Sequence, residues 1–131
     1  MRKSVTTIKV RGYHIDLYQH VNNARYLEFL EEARWNHYEL ALADGRFAQE
    51  QWAFVIVNIN ISYRKPAMLG QVLEVDTSVK NIGGRSVTMG QVVRLAGTDV
   101  VCAEADVTFV ILDAQGKPLT MEGELRALLE S

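Results

Sequence analysis

Residues Val5 to Arg11 alternate, with Val5, Thr7, Lys9 and Arg11 on one side and Thr6, Ile8 and Val10 on the other. A two-residue period of this kind predicts a strand. The period then changes. From Ala24 to Leu42, Tyr26, Leu27, Leu30, Ala33 and Leu40 recur at helical spacing, with Glu28, Glu31, Glu32, Arg34 and Glu39 between them. This predicts one amphipathic helix, a rod of roughly 28 Å at 1.5 Å per residue. Asn22 or Asn23 supplies its N-cap, and Asp44-Gly45 ends it. Alternation returns at Ala53–Tyr63 and is broken by Pro66 and Gly70. Further strands are predicted at Val72–Val79, Val87–Leu95 and Val100–Leu112. The turns between them are Asn81-Ile82-Gly83-Gly84 and Gly97-Thr98-Asp99. After Ala114-Gln115-Gly116, Thr120 is placed to cap a short helix over Met121–Glu130.

A strand, one long helix and then four strands joined by tight turns read as an α+β domain with an antiparallel five-stranded sheet. The only element large enough to cover that sheet is the long helix. No repeat, low-complexity segment or linker interrupts residues 1–131, so one domain is expected. The last predicted strand is apolar on both faces, with Val107, Phe109 and Ile111 against Thr108, Val110 and Leu112. Excess apolar surface on so short a chain predicts a homo-oligomer.

Composition narrows the function classes without choosing one. The chain is 48% hydrophobic and 23% charged, as an ordinary globular protein is. A net charge of −2 carries no footprint for nucleic acid or an anionic membrane. No apolar run reaches the length of a membrane span and no apolar leader is visible, so a cytoplasmic location is expected. The single cysteine, Cys102, lies in the apolar run Val100-Val101-Cys102-Ala103 and reads as a buried, inert thiol.

Candidate chemistry concentrates in Asp16-Leu17-Tyr18-Gln19-His20-Val21-Asn22-Asn23, just before the long helix. A helix N-terminus presents unpaired N–H groups and a partial positive charge. A carboxylate beside it can attack a carbonyl, or activate water against one, while those N–H groups polarise the carbonyl oxygen. The plain alternative for Asp16 is an Asx-turn residue. A zinc site from His14, His20 and His37 fits no metal-ligand spacing, and no metal or cofactor is expected.

Three blocks carry a family resemblance. Asp16-x-x-x-His20-Val21-Asn22-Asn23-x-x-Tyr26 resembles the D-x-x-G-H-V-N-N-x-x-Y signature of the 4-hydroxybenzoyl-CoA thioesterase-like family. Ile61-Ser62-Tyr63-Arg64-Lys65-Pro66-Ala67-Met68-Leu69-Gly70 resembles that family's strand ending in Y-x-x-P-x-x-x-G. Gly83-Gly84-Arg85-Ser86 is similar to its G-x-S hairpin. The wording of Val10-Arg11-Gly12-Tyr13-His14 and of Tyr18 to Trp35 looks closest to the long-chain acyl-CoA thioesterases of fatty-acid β-oxidation. The resemblance implies the hot-dog fold, a long central helix wrapped by a five-stranded antiparallel sheet. It implies hydrolysis of medium- to long-chain acyl-CoA, without a cofactor, in homodimers that pair into homotetramers, with each site shared across the dimer interface. Two positions depart from the pattern: Gln19 stands where the family has Gly, and His14 where it often has an acidic residue.

The resemblance makes Asp16 the catalytic carboxylate, as nucleophile or as general base. It makes the backbone N–H of Asn23 the group that polarises the thioester carbonyl, and Asn22 either a substrate contact or a cap. His20 orients the loop or takes part in acid–base chemistry. Tyr26 and Tyr63 are read as packing aromatics whose hydroxyls lie near the substrate. Asn58 and Asn60 share one strand face and meet either water or the substrate's pantetheine arm. Arg64, Lys65 and Arg85, at strand ends, are candidates for the CoA phosphates or are simply solvated. Phe29, Leu30, Ala33, Trp35 and Phe54 line an acyl cavity or only the core. Rival readings are a thioesterase for acyl groups on a carrier protein, a hydroxyacyl dehydratase and a non-catalytic acyl-CoA-binding domain.

Overall fold

A computed structural model describes residues 2–130. Its elements are β1 (Lys3–Lys9), a single 3-10 turn (Gly12–His14), α1 (Asn23–His37), α2 (Glu39–Ala43) and α3 (Arg46–Gln49), then β2 (Ala53–Tyr63), β3 (Val72–Ile82), β4 (Val87–Leu95), β5 (Val101–Leu112) and α4 (Gly123–Glu130). The strands form one antiparallel sheet in the order β1-β3-β4-β5-β2. α1 packs on its inner face. This is the α+β hot-dog arrangement that the motifs imply.

Alternation explains which strand face is covered. Leu73, Val75 and Val79 of β3, Val87, Met89 and Val93 of β4, and Val107, Phe109 and Ile111 of β5 are buried. The outer residues between them carry charge, as in Arg94 of β4, which pairs with Glu74 and Asp76 of β3 at 2.9 and 2.8 Å. One inward residue breaks the pattern. Gln91 is only 1% exposed, yet its amide donates to the Leu30 carbonyl and to Thr77 Oγ1, both at 3.0 Å. Its oxygen accepts from Arg34 at 3.1 Å. Every polar atom of this buried amide is therefore used, which removes the penalty of burying it. The arrangement also pins the middle of α1 to β4.

The expected single helix over 24–42 is interrupted at Tyr38. The Arg2 guanidinium donates to the His37 carbonyl at 2.6 Å, and a side chain entering the helical ladder breaks it there. Tyr38 then turns inward, stacks on Phe54 at 5.7 Å and donates its hydroxyl to the Leu129 carbonyl at 3.1 Å. Other boundaries move as well: β3 runs on to Ile82 and β5 begins at Val101. β1 begins at Lys3, because its pairing with β3 starts at Lys3↔Ser78, and it ends at Lys9. The C-terminal helix starts at Gly123, two residues later than expected, with Gly123 in the left-handed region at φ +59°.

β2 matches its expected span but is an edge strand with little cover. Val55, Ile56 and Val57 are exposed, and a bulge shifts its register against β5 between Ile56 and Asn58.

Candidate active site

The segment before α1 is a small hairpin. Asn22 N–H donates to the His14 carbonyl at 2.8 Å, Ile15 faces Val21, and Asp16 N–H donates to the His20 carbonyl at 2.9 Å. Leu17, Tyr18 and Gln19 form the three-residue tip, closed by Gln19 N–H to the Asp16 carbonyl at 3.0 Å. Such loops place their last residue in the left-handed region. Gln19 does so at φ +65°. The departure from the family's Gly therefore leaves the backbone shape a glycine would have, at the steric cost a side chain incurs there.

A second loop, residues 64–71, braces the other side of this hairpin. Val21 N–H donates to the Ala67 carbonyl at 2.9 Å and His20 bridges to Met68. Tyr26, buried beneath, accepts the Ala67 N–H on its hydroxyl at 3.3 Å. Tyr63, at the end of β2, packs edge-on to Tyr26 and donates to the Asn23 carbonyl at 3.2 Å. Both tyrosines are packing aromatics whose hydroxyls hold main chain around the helix start.

Asp16 is half-buried, and its Oδ1 accepts the Tyr18 N–H at 2.9 Å. The Asx-turn reading is thus correct for one oxygen. Among the described residues no donor reaches Oδ2, which leaves that oxygen for chemistry. Asn22 is the N-cap: its Oδ1 accepts the Ala24 N–H at 2.9 Å. Asn23 is the first helical residue, and an N–H at that position has no carbonyl of its own helix to bond. The hairpin therefore joins a carboxylate and an unpaired helix-terminal N–H through a short rigid ladder.

The other candidates lie apart. Asn58 and Asn60 are exposed and face outward, since Ile59 and Ile61 between and beyond them pack on the core. Arg64 sits at the hairpin's end of the sheet but is paired with Glu104 at 2.8 Å. Arg85 is in the β3–β4 turn, the full length of β3, or roughly 35 Å, from the end that joins the 64–71 loop. Of the histidines, His20 is half-buried in the hairpin, while His37 ends α1. The 61–70 block stands out in the sequence only as a motif; its bracing of the hairpin, and the bonds of His14 to Asn22 and Arg11, come from the structure. The sequence signal for His14 was the departure from the family pattern.

A cavity of about 190 Å³ opens between the second half of α1 and the sheet. Trp35, Tyr38, Phe54, Ile56 and Phe109 form its apolar wall, with Glu31 and Arg34 as the charged members. Trp35 and Phe54 are thus cavity residues as expected, whereas Phe29, Leu30 and Ala33 are buried in the core cluster at the hairpin's end. Burial lowers the Arg34 pKa, a tendency opposed by Glu31.

A family model described as the thioesterase-like superfamily matches residues 10–129. The chain is 50% identical over 126 residues to the long-chain acyl-CoA thioesterase FadM of Escherichia coli strain K12, covering 95% of this chain and 96% of that protein. It is 29% identical over 110 residues to the acyl-CoA thioesterase YbgC of Haemophilus influenzae, covering 82% and 79%. Among solved structures, YbaW, a probable thioesterase from Escherichia coli, superimposes with a TM-score of 0.90 at 50% identity over 96% of each chain.

Proposed function

The chain belongs to the thioesterase-like superfamily, and from that premise we propose that it hydrolyses medium- to long-chain acyl-CoA to free fatty acid and CoA. The observation that carries this reading is the Asp16–Asn23 hairpin, with one carboxylate oxygen unengaged beside a capped helix N-terminus. The thioester carbonyl accepts the Asn23 N–H, and the helix terminus stabilises the oxyanion that forms as the carbonyl carbon is attacked. Two routes are open to Asp16. It attacks the carbon itself, giving an acyl anhydride that water then cleaves, or it takes a proton from the attacking water. In both, the C–S bond breaks, the thiolate of CoA leaves and gains a proton, and water supplies the second carboxylate oxygen. No cofactor enters either route.

Chain length follows from where the cavity lies. Glu31 and Trp35 are eight and twelve residues beyond Asn23 on α1, so the cavity wall is roughly 12–18 Å from the thioester. Leu27, exposed between the two, provides an apolar path. Short acyl groups end before the cavity and gain nothing from it. The uncovered β2 edge and the exposed Leu27 and Trp35 support a homodimer formed on that side, with the partner closing the acyl path, and dimers pairing into tetramers. A cytoplasmic location is part of this reading, supported by one free, buried cysteine.

Thiol release from a graded series of acyl-CoA esters tests the proposal. Turnover is expected to rise with chain length, and Asp16→Asn to reduce it by about 1,000-fold or more while the melting temperature stays native-like. Near-native turnover by Asp16→Asn overturns the assignment.

A further inference from the structure

His14 stands at the base of the hairpin that carries the proposed chemistry, and the mechanism above makes no use of it. Its ring is buried, edge-on to Phe29 at 4.9 Å and to Tyr13 at 4.2 Å. Its main chain and its side chain hold different partners. The carbonyl accepts the Asn22 N–H at 2.8 Å, and Nδ1 accepts the Arg11 N–H at 2.9 Å, while His14 N–H returns to the Arg11 carbonyl at 3.0 Å. An accepting Nδ1 fixes the neutral imidazole with its proton on Nε2. From His14 the chain of contacts is short: Asn22 caps α1, and the next amide is that of Asn23. Two rungs away in the other direction lies Asp16.

We propose that neutral His14 is a positioning residue that sets the Asn23 N–H against Asp16, and that a proton on Nδ1 releases this geometry and switches turnover off. The inference rests on the thioesterase reading. Protonation sets Nδ1–H against Arg11 N–H, donor facing donor, so the reciprocal pair that closes the 3-10 turn is lost. The Asn22 anchor shifts with it. The surroundings favour the neutral form at neutral pH. Burial is the first cause, and Arg25 of α1 adds to it; Glu28 of α1 opposes it, and Arg11 on the loop reinforces it. Glu28 is itself bound to Arg25 at 2.8 Å, which blunts its pull on the imidazole. The ring is therefore held below the usual imidazole pKa of 6.5.

The experiment measures kcat and KM for one long-chain acyl-CoA from about pH 8 to about pH 4.5 in the native chain, His14→Asn and His14→Phe. Asn offers an oxygen near the Nδ1 position and does not titrate; Phe keeps the ring packing and offers no acceptor. His14→Phe is expected to lower kcat roughly 10- to 100-fold with KM little changed, the loss that a misplaced catalytic group produces. His14→Asn is expected to restore most of kcat and to lose the acid step that the imidazole gives the native profile, so that its activity falls at lower pH than the native chain's. An acid step in His14→Asn identical to the native one overturns the proposal, as does a native kcat in His14→Phe. If His14→Phe does not fold, the native and His14→Asn profiles decide alone. Absent turnover in the native chain, or full turnover in Asp16→Asn, strikes the thioesterase reading instead. Native profiles in both His14 variants strike only this one.

Discussion

At its N-terminus α1 is capped and shaped by its immediate neighbours in sequence, with Tyr63 and Ala67 bracing them from outside, and at its C-terminus it is held by residues far away. The first end is set by a hairpin of main-chain bonds, from His14–Asn22 to Asp16–His20, and by the Asn22 cap. Much of it is exposed, including Leu17 and Tyr18 at the tip. The second end is tied to β1 by Arg2 on the His37 carbonyl, Ser4 against His37 Nδ1 at 2.6 Å, and Asn36 on Thr6 at 2.7 Å. Tyr38 anchors it further in an aromatic cluster with Phe54 and Phe109. Local bonds can hold a reactive geometry at the surface, whereas long-range packing sustains the fold. Activity and stability should therefore separate along one helix.

Substitutions at the two ends test that separation. Where Asp16→Asn removes activity and spares stability, Tyr38→Ala should do the reverse. Emptying the aromatic cluster and orphaning the Leu129 carbonyl is expected to lose about 3–5 kcal/mol in urea unfolding, with the folded fraction retaining kcat on a short-chain ester, which ends before the cavity that Tyr38 lines. Equal loss of kcat would show that the ends are coupled. Acidification acts next. Burial, with a contribution from Arg2, lowers the His37 pKa from 6.5 to about 4. Above 6.5 neither folded nor unfolded chain is protonated there. Between 6.5 and about 4 the unfolded chain alone takes the proton, so stability falls as pH falls through that window, by up to about 3 kcal/mol. Melting temperatures of the native chain and His37→Gln against pH should diverge accordingly, with the flatter curve in the variant. A smaller effect is expected at the cap: Asn22→Ala should cost about 1 kcal/mol and lower kcat, because the helix start frays. Smallest is Gln19→Gly, which relieves a left-handed side chain but loosens the unfolded state, leaving a net change of a few tenths of a kcal/mol in thermal unfolding. A loss above about 1 kcal/mol there would mean that the Gln19 side chain itself contributes.

The same division governs what could be read from the chain. β2 and β4 end where their alternation ends, because Ala53–Tyr63 and Val87–Leu95 are bounded by local breakers. β3 runs on to Ile82 through a register shift between Val79 and Asn81, and a bulge leaves no mark in a two-residue period. The break in the helix was invisible for a different reason: it depends on Arg2, 35 residues from His37. In the site, local chemistry was legible. Asp16, the cap at the Asn22-Asn23 pair and the glycine-like position at Gln19 all follow from neighbours in sequence. The choice of Asn22 over Asn23 does not, since either amide suits a cap and the hairpin ladder decides. Asn58, Asn60 and Arg85 carry two readings in the sequence, substrate contact or solvent, and one protomer places them on the outer face and in the far turn.

The register shift in β2 has a consequence for its open edge. An uninterrupted apolar edge of eleven residues would accept any passing strand and extend without limit. Displacement of Val57 divides that edge into two shorter runs, Ala53–Ile56 and Asn58–Tyr63, offset from one another. A mate must carry the same offset to pair along both, and a second copy of this chain carries it by construction. The irregular residue thus leaves β2 a poor seed for fibrils, and the homodimer proposed above would join two edges that share one offset.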